Sequence, residues 1–220
     1  MFVWDAPAHG LSRPFELSFS MQDIVHYLYT IFQIEHIVMP IFVGQSLGGY
    51  IAQVYITEYP NTTLGFISVD SCPMSRRYYS WWELALMRHT KGMYMSIPWK
   101  LLLKWGINVT SETSYGRQVM KNAWSVYTKE EYCSLADYGY RILVEAIIAR
   151  ETYSITCPVL LLCGERDHAG SAKRYNRNWA KFEGYKLCWI TDAGHNSNTD
   201  SPEQVNNLIE LFVGELSSEI

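Results

Sequence analysis

The sequence predicts an α/β protein: a mostly parallel, doubly wound sheet interrupted by a helical insertion. Three observations lead there. Short apolar runs alternate with segments of helical spacing, as where Ile41-Phe42-Val43 is followed by Leu47 to Tyr59. These runs are apolar throughout rather than alternating, which suits strands covered on both faces. From Pro73 to about Arg150 strand-like runs give way to helical, aromatic-rich segments. The expected organisation is therefore residues 1–72 as the first part of the core, 73–150 as a helical cap or lid, and 151–220 as the second part of the core.

Phe2-Val3-Trp4 is a short apolar run ending at Asp5, and the turn-rich Ala6-Pro7-Ala8-His9-Gly10 follows, so a strand emptying into a loop is expected. Ser20 with Asp23 three residues on marks a helix start, and Ile24, Tyr27, Leu28 and Ile31 recur at helical spacing to about Phe32. Ile41-Phe42-Val43 is the next strand; the helix from Leu47 stops before Pro60, which disfavours helical geometry in the residue preceding it. Leu64 to Asp70 reads as a buried strand. Strands resume at Val159 to Cys163 and Lys186 to Ile190, with a helix from about Ser171 to Phe182 between them. Ser201-Pro202-Glu203-Gln204 predicts the last helix: an N-cap serine, proline at the first position and a capping-box glutamine, then an apolar stripe of Val205, Leu208 and Phe212.

Composition excludes several classes. At 220 residues, 48% hydrophobic and 18% charged, the chain has material for a core and no polar low-complexity tract. Its net charge of −4 gives no electrostatic footprint for nucleic acid. No apolar stretch approaches the ~20 residues of a membrane-spanning helix. Five cysteines, none in a CxxC pair, suit small buried hydrophobes in a reducing, cytoplasmic setting. Neither a metal nor a cofactor is implied; the expected partner is a small-molecule substrate, and the oligomeric state stays open.

Gly44-Gln45-Ser46-Leu47-Gly48 is G-x-S-x-G, lying directly between a strand run and a helix. That setting describes the sharp turn which lifts a serine oxygen above a sheet. A serine hydroxyl is a poor nucleophile at neutral pH; it needs an imidazole to take its proton, and the imidazole needs a carboxylate to fix its tautomer and stabilise its charge. Asp167 follows the strand run ending at Cys163, and His195 follows the run ending at Ile190. Both sit just past strand C-termini, where open α/β sheets bind ligands. Asp70 is the alternative acid, Glu165 a weaker one, and His9 and His168 are loop histidines near the same mouth.

Four motifs in register, WDAPAHGLSRPF, VGQSLGG, PVLLLCGERD and DAGHNSNTDSPE, resemble the α/β-hydrolase superfamily, in the form that carries an inserted cap. The resemblance implies Ser46 as nucleophile, His195 as general base and acid, Asp167 as its orienter, and the Leu47 backbone N–H as one oxyanion donor. The serine excludes the sibling chemistries that use a carboxylate nucleophile. Trp81, Trp82 and Trp99 of the aromatic insertion are expected to wall a pocket for a largely apolar substrate. The activity implied is hydrolysis of esters, thioesters or lactones. The alternatives are C–C bond hydrolysis or acyl transfer with the same triad, and a non-catalytic binding module. The family's sheet has eight strands and this chain offers candidates for the fourth to the eighth, so the first three are expected to be missing, together with the His-Gly-type loop that supplies the second oxyanion donor. Residues 1–220 are then expected to be a fragment, poorly soluble alone or closing the gap by strand rearrangement or by pairing with another chain.

Overall fold

Four strands, Ile41–Gln45 (β1), Gly65–Val69 (β2), Val159–Gly164 (β3) and Lys186–Ile190 (β4), form one parallel sheet in the order β1-β2-β3-β4 in the computed structural model, which describes residues 1–218. The registers run in step: Phe42 lies opposite Phe66, Phe66 opposite Val159, and Leu162 opposite Cys188. Successive side chains of a strand point to opposite faces, and the two faces serve separate cores. Phe66, Val159 and Leu161 join the larger core, with residues from helices Met21–Ile34 (α1), Leu47–Glu58 (α2) and Ala172–Glu183 (α8). Ile67, Val69, Leu160 and Leu162 face the other way, onto Val205, Phe212 and Leu216 of Pro202–Ser217 (α10). Helices therefore cover both faces, as the unbroken apolar runs require.

Between β2 and β3 the chain forms a single 3₁₀ turn and then five helices: Trp81–Met87 (α3), Thr90–Ser96 (α4), Trp99–Thr110 (α5), Ser114–Ser125 (α6) and Lys129–Ala149 (α7). α7 opens on a complete capping box between Thr128 and Glu131 and is buried along Tyr138, Ile142, Leu143, Ala146 and Ile147. It is tied to the first part of the chain by the Tyr138 hydroxyl, which donates to the Phe19 carbonyl at 2.6 Å. Among the described residues no helix is long and apolar enough to cross a membrane.

Most predicted elements form within a residue or two of their expected ends, including the α1 capping box between Ser20 and Asp23. Three features differ. Phe2-Val3-Trp4 is not a strand: among the described residues the sheet ends at β1 and no strand runs beside this segment, and Val3 is 79% exposed. Extended backbone becomes a strand only when a neighbour receives its hydrogen bonds. At the start of α10 Ser201 makes no side-chain cap, and Gln204 accepts a hydrogen bond from the Thr191 N–H instead, which ties the helix to the end of β4. The third is a four-residue helix, Ser197–Asp200 (α9), which sits in the loop after β4 and carries no signal at the level of periodicity.

Candidate active site

The turn from β1 into α2 holds Ser46 at φ 47° and ψ −110°, a sparsely populated positive-φ conformation that costs a non-glycine residue of order 1–3 kcal/mol. The neighbouring structure supports that strain. The Ser46 N–H donates to the Val69 carbonyl at 2.9 Å, and its carbonyl accepts the Ser71 hydroxyl at 2.7 Å. A Cβ at Gly44 would lie 2.5 Å from the Gly48 carbonyl carbon, and one at Gly49 would lie 2.4 Å from Ser71 Cβ. At Gly48 a Cβ would meet nothing within 4 Å, so crowding does not dictate that glycine.

The structure brings Ser46, His195 and Asp167 together although 149 and 28 positions separate the partners. His195 Nε2 lies 2.9 Å from Ser46 Oγ, and Nδ1 lies 2.9 Å from Asp167 Oδ2. Asp167 is buried, and its other oxygen accepts the Ala169 N–H at 2.8 Å, so the carboxylate cannot swing away without losing that bond. Burial alone would push the His195 pKa down. The hydrogen bond and negative charge of Asp167, with the charge of Asp70 behind them, outweigh it and hold the imidazole above its ordinary value. Leu47 is the first residue of α2, so its N–H has no acceptor within the helix and is available beside the serine.

Asp70, the alternative acid, does not bond to His195. One oxygen accepts the Gly164 N–H at 2.7 Å, and the other accepts the N–H and hydroxyl of Ser197 at 2.8 and 2.6 Å. Asp70 thus clamps the end of β3, which leads to Asp167, to the segment following His195. Burial raises its pKa to about 7 against the lowering effect of His195 and of those three hydrogen bonds. Cys163, Asp70 and Asp167 cluster within 4.8 Å, but the oxygens of both carboxylates already accept protein hydrogen bonds and burial pushes the thiol up.

Two positioning residues escaped the sequence reading. Gln45, the variable residue before the serine, donates from Nε2 to the His195 carbonyl at 2.9 Å and to Asn196 Oδ1 at 3.0 Å. Asp200 accepts the N–H groups of Glu112, Thr113 and Gly194, binding the turn between α5 and α6 to the histidine loop. The Gln45 contacts and those of Asp200 to Glu112 and Thr113 span more than 80 positions, beyond the reach of any local pattern.

A cavity of about 570 Å³ opens over Ser46 and Leu47. Its walls come from the loop Ala6 to Arg13, from Tyr50 of α2, from Trp124 and Tyr127, and from the α7 stripe Tyr132, Leu135, Gly139, Tyr140 and Leu143. Arg13 is the one side chain of permanent charge in this lining, and its guanidinium lies over the Tyr127 ring at 4.3 Å. The expected wall residues Trp81, Trp82 and Trp99 are not among those lining the cavity. Glu83 and Leu84 occupy the inner face of α3, which turns Trp81 and Trp82 outward, and Trp99 packs on the Tyr132 ring at 5.5 Å. The α7 stripe at i, i+3, i+7, i+8 and i+11 was the signal in the sequence for the true wall.

A search by sequence among curated proteins finds no match. Solved structures do match in shape. A carboxylesterase of the thaumarchaeon Nitrososphaera gargenis is 15% identical, covering 93% of this chain and 75% of its own, with a TM-score of 0.68. A thermophilic esterase from Thermogutta terrifontis is 18% identical, covering 90% of this chain and 73% of its own (TM-score 0.64). Est816, described as an N-acyl homoserine lactone degrading enzyme, is 19% identical, covering 94% and 80% (TM-score 0.64). At such identities the likeness carries the fold alone. The sequence model of the alpha/beta hydrolase family matches residues 2–208, nearly the whole chain, and the protein is a hydrolase that belongs to this family.

Proposed function

We propose that the protein is a serine hydrolase that cleaves a small, largely apolar ester, thioester or lactone through an acyl-enzyme. One observation carries the reading: a single imidazole is hydrogen-bonded at Nε2 to a strained serine and at Nδ1 to a buried aspartate, beneath an apolar cavity. In this mechanism His195 Nε2 accepts the Ser46 proton as Oγ attacks the acyl carbon. The Leu47 N–H donates to the oxyanion that develops there. His195 then returns the proton to the leaving oxygen or sulfur, and the acyl group stays on Ser46. Water entering the site loses a proton to His195 and attacks the acyl carbon, which releases the acid and restores the serine. Asp167 keeps the Nδ1–H tautomer throughout and stabilises the imidazolium.

The cavity argues for the substrate class. Its lining of aromatic rings and leucines offers no cradle for a polyanion or a sugar, and a volume of about 570 Å³ suits a compact acyl or aryl group. A reducing compartment fits the five free cysteines. Hydrolysis of a p-nitrophenyl ester series tests the reading. Wild type should turn over short and medium acyl chains, while Ser46→Ala and His195→Ala should fall to the background rate. Turnover that persists in Ser46→Ala would overturn it.

A further inference from the structure

The region from Leu84 to Ser111 contains Arg88, Lys91, Lys100 and Lys104 and no aspartate or glutamate, in a chain whose net charge is −4. All four cations are exposed, and none takes part in an ion pair among the described residues. The same three helices carry a concentration of bare apolar side chains: Trp81 is 75% exposed, Trp82 and Leu86 55% each, Met93 43%, Leu101 57% and Trp105 51%. Scattered single exposures need no explanation, whereas contiguous apolar groups mark a contact surface, and the contact of Tyr94 with Trp105 joins α4 to α5.

The arrangement within each helix is regular. On α5 Lys100 and Lys104 form one row, opposite the buried Leu102 and Gly106, and Leu101 and Trp105 form the row between them. On α3 Trp81, Trp82 and Leu86 share the outer arc, opposite Glu83 and Leu84. α4 continues the segment with exposed Lys91 and Met93, and the Tyr94 ring meets the edge of Trp105 at 6.3 Å.

We propose that the outer face of α3–α5 docks the enzyme onto the surface of an anionic phospholipid bilayer. Indole rings settle at the level of the headgroups, and leucine and methionine reach the acyl boundary. Each lysine beside them lays its stem along the apolar surface and keeps its ammonium among the phosphates. The charge supplies the choice of occupant: the basic segment is complementary to acidic lipid, and the tryptophans distinguish it from a merely solvated lysine face. α4 packs on α7 and α5 on α6, the helices that wall the cavity, so docking brings the mouth of the site close to a reservoir of apolar substrate.

The test is sedimentation of the full chain with vesicles of phosphatidylcholine alone and with phosphatidylglycerol added. Binding to the anionic vesicles should weaken as salt rises, and Lys100→Gln with Lys104→Gln should weaken it about fivefold for each charge removed. Trp81→Ser with Leu101→Ser should abolish the binding that survives at high salt. Because these side chains are exposed, circular dichroism melts of the variants should superimpose on wild type. Equal binding to both vesicle types, or binding that both double variants leave unchanged, would overturn the proposal. So would a self-associated species in sedimentation velocity that the same substitutions dissolve while neither vesicle is bound; that outcome would assign the face to a second copy of the chain.

Discussion

Each member of the Ser46–His195–Asp167 constellation is held by something other than its partners: a strained turn for the serine, the Gln45 amide on the His195 carbonyl, and the Ala169 N–H on the aspartate. This separates the two candidate acids. Asp167→Asn should lower kcat by about 10⁴, the loss expected when the amide neither stabilises the imidazolium nor enforces the tautomer. Asp70→Asn should act mainly on stability, because its amide nitrogen would face the N–H of Gly164 or Ser197 and leave a buried donor unpaired, at about 1–3 kcal/mol. Matched kinetics and thermal melts of the two variants check this, and the reverse ranking would make Asp70 the acid. The pH profile follows from the direction of the His195 shift. Only the neutral imidazole accepts the serine proton, so kcat/KM should fall on acidification with a midpoint above the ordinary histidine value of about 6.5. In Asp167→Asn the main raising influence is gone and burial dominates, so the acid limb of the residual activity should move to lower pH. That Ser46, Asp167 and His195 belong together was legible from the sequence because each lies in a motif just past a strand end. The Asp70 clamp, the Gln45 contacts and the tie from Asp200 to Glu112 and Thr113 were not, since those partners are distant in the chain and only the folded backbone presents them.

At the scale of elements the turn between β1 and α2 makes a sharp prediction. Gly44→Ala and Gly49→Ala each drive a Cβ into fixed atoms and should lower the melting temperature markedly. Gly48→Ala meets open space inside a helix and should hold or raise it, by roughly 0.5–1 kcal/mol of helix propensity. Thermal melts of the three variants side by side would decide. β2, β3 and β4 were legible because a run that is apolar on both faces fits few other structures. Phe2-Val3-Trp4 has the same local character, yet a strand is a property of a pair, and no strand among the described residues accepts its ladder bonds. The cavity wall was misassigned for a related reason. Periodicity shows which residues share a helix face, and tertiary packing alone decides whether that face turns to the core, as on α7, or to solvent, as on α3.

Across the whole molecule, β1 pairs only with β2 among the described residues, and Val43 on this edge strand is 49% exposed. An open apolar edge is a template for pairing with another chain, so Val43→Lys should reduce concentration-dependent association in light scattering without changing the far-ultraviolet circular dichroism. Two separately packed cores, one per face of the sheet, fix the ends of β1, β3 and β4 at one edge of the molecule, and the proposed catalytic constellation is built where those ends meet the helices of the insertion. The central claim is that this meeting point activates Ser46 as a nucleophile. It is tested most directly by treating the protein with a fluorophosphonate and mapping the adduct by peptide mass spectrometry. The account predicts one modification, on the peptide containing Ser46, lost in Ser46→Ala and strongly slowed in His195→Ala. Labelling that is unchanged in Ser46→Ala, or a wild-type protein that stays unlabelled while correctly folded, would contradict it.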